Sequence, residues 1–191
     1  MKKVMLFLVL LLGICFFGSQ AALAATHGEA TSHVYALVNP NISLSGQAHV
    51  DAGTVQTGDF TAECIFTVNA NTQQIRIWAE ASDLYKGNDP NGEDVLPIPL
   101  NKDIPVGVYV PNGSPLGTAA SELTYNNSEN GNGINGFPTH RTGELDLESS
   151  QNNHFGQDLR LTFTWDQNDP QKPMGEYSGF VKMSAMVLPN S

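Results

Sequence analysis

The sequence predicts an all-β fold, a single antiparallel β-sandwich with long Asn- and Gly-rich loops. Three observations predict it. Several segments alternate apolar and polar residues with period two, the pattern of strands with one buried face. Turn residues are abundant, with 18 Gly, 11 Pro and, from Ala25 onward, 17 Asn. Each suits turns for its own reason: Asn tolerates positive φ, Gly lacks a Cβ and Pro presets φ. All three are poor helix-interior residues, and no apolar stripe at the 3.6-residue period runs longer than about two turns.

The chain opens with Lys2 and Lys3, an apolar run from Val4 to Phe17, and small residues ending in Ala22-Leu23-Ala24. A basic start, a short greasy middle and an A-x-A-like end form a secretory signal peptide, so residues 1–24 are expected to be removed. The 14-residue apolar run is short for a membrane span, and no later stretch approaches that length. Residues 25–191 are then one domain of ordinary size, exported to the periplasm, the cell surface or the medium. Loss of Lys2 and Lys3 takes Lys+Arg from 9 to 7 against 19 Asp+Glu, a formal charge of −12. So acidic a surface disfavours nucleic acid as a partner. Cys15 leaves with the signal, and the one remaining thiol, Cys64, excludes an internal disulfide and a four-cysteine zinc site.

Strands follow in order. His33–Val38 and Ile42–Val50 read as strands near the mature N-terminus. Phe60, Ala62, Cys64, Phe66 and Val68 share one face, with Thr61, Glu63 and Thr67 on the other. Ile75, Ile77 and Ala79 alternate with Arg76, Trp78 and Glu80, and the tetrad Asn69-Ala70-Asn71-Thr72 lies between these runs. The expectation is a hairpin over Phe60–Ala81. Val106–Val110, Leu123–Tyr125 and Gly143–Glu148 are shorter strands, and Lys86–Asp94 and Asn126–Pro138 read as surface loops. Near the C-terminus, Leu159, Leu161, Phe163 and Trp165 form one apolar row. After the turn-rich Asp166–Gly175, Tyr177, Val181, Met183, Ala185 and Val187 form another, read as a second hairpin ending in one long strand. About eight short strands with turn signals between them suit an Ig-like or jelly-roll sandwich.

The tightest charged cluster is Gly143-Glu144-Leu145-Asp146-Leu147-Glu148. On a strand, Glu144, Asp146 and Glu148 point the same way, about 6.5–7 Å apart. Crowded carboxylates raise one another's pKa, and glycoside hydrolysis needs one protonated and one ionised acid. The stretch resembles the Glu-x-Asp-x-Glu motif of the laminarinase and lichenase β-glucanases, which are jelly rolls. That resemblance implies Glu144 as nucleophile, Glu148 as acid/base and Asp146 assisting between them, with a polysaccharide as substrate. The alternative is a solvated strand face backed by buried Leu145 and Leu147.

Asp89, Asn91, Glu93 and Asp94 put hard oxygen ligands close together, as calcium prefers, without EF-hand spacing. A carbohydrate- or calcium-binding module with its site in the Asn-rich loops is therefore a further reading. The histidines, His27, His33, His49, His140 and His154, form no H-x-x-x-H pair, and no G-x-S-x-G elbow is present. Cys64, among apolar same-face neighbours, reads as a small buried hydrophobe.

Gly175-Glu176-Tyr177-Ser178-Gly179-Phe180-Val181 opens the last strand with a G-x-Y-x-x-x-V pattern, and His33–Val38 alternates behind a short polar leader. Both features are similar to secreted subunits of the spore-coat-protein-U and archaic chaperone–usher pilin type. The resemblance implies a structural subunit that self-assembles by β-augmentation, with Val34, Ala36 and Val38 as the donated face. The sequence as a whole points to a non-catalytic exported structural or interaction protein.

Overall fold

The computed structural model describes residues 31–92, 95–110 and 121–188. The chain divides after Val38 into two units. In the first, residues 31–38 form no strand, which corrects the strand expected at His33–Val38. Their side chains are exposed, and the rings of His33 and Tyr35 stack with centroids 6.1 Å apart.

The second unit is all-β. Its strands are β1 (Ile42–Gly46), β2 (Gly58–Ala70), β3 (Gln74–Ser82), β4 (Tyr85–Lys86), β5 (Val106–Tyr109) and β6 (Ser121–Leu123). They continue with β7 (Tyr125–Asn130), β8 (Thr139–Thr142), β9 (Leu145–Glu148), β10 (Phe155–Gln167), β11 (Tyr177–Ser178) and β12 (Val181–Val187). One sheet has the order β1-β2-β10-β5-β6 and a second runs β12-β3-β8-β7, with β9 also paired to β3. A two-stranded ribbon, β4 with β11, extends from them. All pairings are antiparallel.

The core lies between the two five-stranded sheets. The first contributes Val68, Phe155, Leu159, Leu161, Phe163 and Trp165; the second contributes Ile75, Ile77, Ala79, Ala81, Leu147 and Met183. Apart from Phe155 and Ala81, these are residues the period-two pattern assigns to apolar faces, so most of the buried face was legible in the sequence. Trp165 also donates its indole N–H to the Ser82 carbonyl at 3.0 Å, so its polar atom is satisfied inside the core.

Both expected hairpins are corrected. β2 pairs with β1 and β10, whereas β3 pairs with β12, β8 and β9, so the chain crosses from one sheet to the other between Ala70 and Gln74. Tight hairpin turns need residues with φ above zero, and none of residues 69–73 has one. The turn residues bond elsewhere. Asn71 accepts the Asn41 N–H at 2.6 Å and donates to the Asn39 carbonyl at 2.9 Å, anchoring the crossing to the start of β1. Likewise β10 and β12 lie in different sheets. The long final strand is two strands, because Gly179 sits against Ser82 and Asp83, where a Cβ would come within 2.6 Å of both. The expected strand at Ile42–Val50 ends at Gly46, the Lys86–Asp94 loop begins inside β4, and the Asn126–Pro138 loop begins within β7. No helix among the described residues is long and apolar enough to cross a membrane.

Ile77 is fully buried between the sheets, so Ile77→Ala should cost about 2–5 kcal/mol through lost burial and a cavity. Met186→Ala, at a residue 45% exposed, should change stability by no more than about 0.5 kcal/mol. Urea unfolding of both variants checks the pair.

Candidate functional site

The outward face of β9 carries the acidic row. Glu144, Asp146 and Glu148 are exposed, while Leu147 is buried and Leu145 half-buried beneath them. The register sets Asp146 opposite Arg76 of β3. The Arg76 guanidinium donates from Nε at 2.6 Å and from Nη2 at 2.9 Å to the two Asp146 oxygens, a bidentate pair. It also lies 3.3 Å from Glu144, which accepts from Arg141 at 3.2 Å. Glu148 accepts from the Gln73 amide at 3.2 Å. The Arg141 guanidinium sits 5.0 Å above the Trp78 ring. The hydrogen bond from Arg76 holds Asp146 below the ordinary carboxylate range. A glycosidase acid must instead be held protonated. The three acids predicted from sequence therefore lie together on one face, and the one at its centre, Asp146, is held in its charged form by Arg76.

A carboxylate that sequence reasoning missed is the most enclosed of the described acids. Glu80 lies on β3, on the same face as Arg76 and Trp78, and was legible only as one more outward residue of that alternation. The connection between β7 and β8 folds over it and leaves it 1% exposed. Lys182 of β12 reaches one oxygen at 2.9 Å. The other accepts the Asn132 N–H and the Thr139 hydroxyl, each at 3.0 Å. Burial alone would push this carboxyl up, but the hydrogen bonds from Lys182, Thr139 and Asn132 outweigh it and hold the pKa below normal. A glycine is required at position 131, because a Cβ there would fall 2.0 Å from the Thr139 hydroxyl and 2.7 Å from Glu80. Phe137 of the same connection packs edge-on against Tyr85 and Phe180, at centroid distances of 5.4 and 4.9 Å. The nearest sequence signal was Gly131-Asn132-Gly133, whose role is to let the backbone approach Glu80.

The proposed calcium ligands are only partly described. Asp89 uses a carboxylate oxygen to accept the Asn91 N–H at 2.9 Å, an Asx turn, and Glu93 and Asp94 lie outside the described residues. Lys86, Asp89, Gly92 and Val95 line a hollow of about 170 Å³ there. Among the described residues, no three His, Cys, Asp or Glu side chains gather as a metal site. Burial pushes the Cys64 thiol up to about 11, away from the reactive thiolate. His140, 3.9 Å from Asp83, is held below its usual value by burial and by Lys102, with Asp83 acting in the opposite direction.

The outermost strands of the two sheets also turn backbone groups away from their one strand partner. β3 bonds β12 through Ser82 N–H to Phe180 O at 2.9 Å and Leu188 N–H to Gln74 O at 3.1 Å. Hydrogen bonding alternates along an antiparallel pair, so the even-numbered residues of β12 face β3. The backbone groups of Val181, Met183, Ala185 and Val187 point to the open side. Their side chains form the inward row packed on the core, with Met183 buried and the other three half-buried. By the same parity, Ile42, Leu44 and Gly46 present the open edge of β1. For the Val34, Ala36 and Val38 row, the side chains are exposed, Val34 by 88% and Val38 by 77%.

No family model, no curated protein and no solved structure matches this chain.

Glu80→Gln should lower stability by about 2 kcal/mol, less than a fully buried pair would lose because Lys182 is 37% exposed. Because folding lowers the Glu80 pKa, its contribution is present above the ordinary value of 4.5 and is lost as the pH falls through the folded-state value. Stability measured against pH on the acid side should therefore fall less steeply in Glu80→Gln than in the wild type. Arg76→Ala, whose ion pair is with the exposed Asp146, should change stability less than Glu80→Gln does by the same measurement.

Proposed function

We propose that the chain is an exported, non-catalytic β-sandwich subunit of the bacterial surface or periplasm that self-associates by β-augmentation. In this reading the stretch Val34–Val38 of one copy adds as a strand to the β12 edge of another. The observation that carries the reading is the β12 edge. Among the described residues, the backbone groups of the alternate residues Val181, Met183, Ala185 and Val187 face away from β3 without a strand partner, beside an apolar row, the chemistry an added strand completes. The exposed apolar alternation of Val34, Ala36 and Val38 supports the donor half, since folding leaves those side chains in water. The pairing of Glu144 and Asp146 with Arg76 supports the non-catalytic half, because both carboxylates are engaged in charge neutralisation.

Ala185→Pro isolates the edge. The Ala185 N–H points away from β3, so proline removes no bond of the β12–β3 ladder but blocks one to an incoming strand. Size-exclusion chromatography should show oligomers for residues 25–191, and monomers for both Ala185→Pro and a chain lacking residues 25–39. Monomers of equal thermal stability in all three would sink the reading.

A further inference from the structure

The chain contains Asn-Gly dipeptides at 91–92, 112–113, 130–131, 132–133 and 135–136. Such pairs are chemically fragile when the glycine nitrogen is free to attack the preceding side-chain amide. Asn112 and Gly113 lie outside the described residues. At three of the other four sites the fold occupies the attacking nitrogen. Gly92 N–H donates to the Asp89 carbonyl at 3.3 Å, Gly131 N–H to the Thr139 carbonyl at 2.7 Å, and Gly133 N–H to the Thr139 hydroxyl at 3.0 Å. The last two belong to the enclosure around Glu80.

The fourth site differs. Ile134 and Phe137 exchange both backbone hydrogen bonds, at 3.0 and 2.8 Å. Asn135 and Gly136 between them have φ of 51° and 88°, a two-residue primed turn. Both residues are exposed, and in such a turn the Gly136 N–H points outward with no partner among the described residues. From these contrasts we infer that Asn135 is a site of spontaneous deamidation and isoaspartate formation in the folded protein, ahead of Asn91, Asn130 and Asn132.

The chemistry balances with water as the co-reactant. Base removes the Gly136 amide proton, and the nitrogen attacks Cγ of Asn135. The new C–N bond closes a five-membered succinimide as the Cγ–NH2 bond breaks, and ammonia leaves carrying a returned proton. Water then opens either carbonyl, giving aspartate or isoaspartate, each one negative charge richer than asparagine. Isoaspartate also inserts a carbon into the turn that positions Phe137 between Tyr85 and Phe180.

The test is to incubate folded residues 25–191 at mildly alkaline pH and follow the one-dalton mass increase by peptide mapping. Asn135 should convert about tenfold faster than Asn91, Asn130 and Asn132, the factor one backbone hydrogen bond is worth. In urea, where no nitrogen is protected, the four rates should converge. Asn135→Gln should remove the fast phase and leave the slow ones. Equal rates in the folded protein, or the same ranking in urea, would overturn the assignment.

Discussion

The structure hangs on one ladder. β2 and β10 pair over thirteen consecutive residues, from Gly58 opposite Gln167 to Ala70 opposite Phe155. The pairing joins stretches of chain about a hundred residues apart, so it closes a long loop before it gains any contact. Once formed, it fixes the register of everything beside it: β1 adds to β2, and β5 followed by β6 adds to β10. Its inner face supplies much of the core, including Phe155, Leu159, Leu161 and Phe163, all fully buried. A one-residue slip would turn that whole row out into water.

The same ladder explains why the chain must cross between sheets. Both sides of β2 are taken, by β1 and β10, so β3 cannot pair with its sequence neighbour and joins the opposite sheet. β10, flanked by β2 and β5, passes the chain on to β12 in the same way. Each crossing converts two apolar faces that would lie side by side in a hairpin into faces that meet across the sandwich. That Ile75 and Ile77 of one sheet share a core with Leu159 and Leu161 of the other follows from this.

Burial of charge follows a separate logic on the outer face of the second sheet. Arg76, Asp146 and Glu144 stay in solvent and pair cheaply, whereas Glu80 on the same face is enclosed by the connection after β7 and is satisfied by three donors. The difference is made by Gly131, whose missing Cβ lets the backbone settle on the carboxylate. The described residues thus place their most elaborate polar chemistry in holding the fold together, and leave the strand edges as the surface with unmet bonding capacity.

The sequence by itself determined the all-β class, the central parts of β2, β3, β10 and β12, and which residues there face inward. Alternation reports burial directly, because side chains on a strand point to opposite faces in turn. It carries no information about the partner strand, since a row of apolar residues suits a neighbour in the same sheet and one across the core equally well. Only the tertiary structure decided that Phe60–Ala81 and Leu159–Val187 cross between sheets instead of forming hairpins. Only it decided that Glu80 is buried while Asp146, two pairs of residues away on the same surface, is exposed. The enclosing residues, Gly131, Asn132 and Thr139, come from about fifty residues later in the chain. Burial of that kind depends on what folds back over a strand, and a strand's own pattern does not record it.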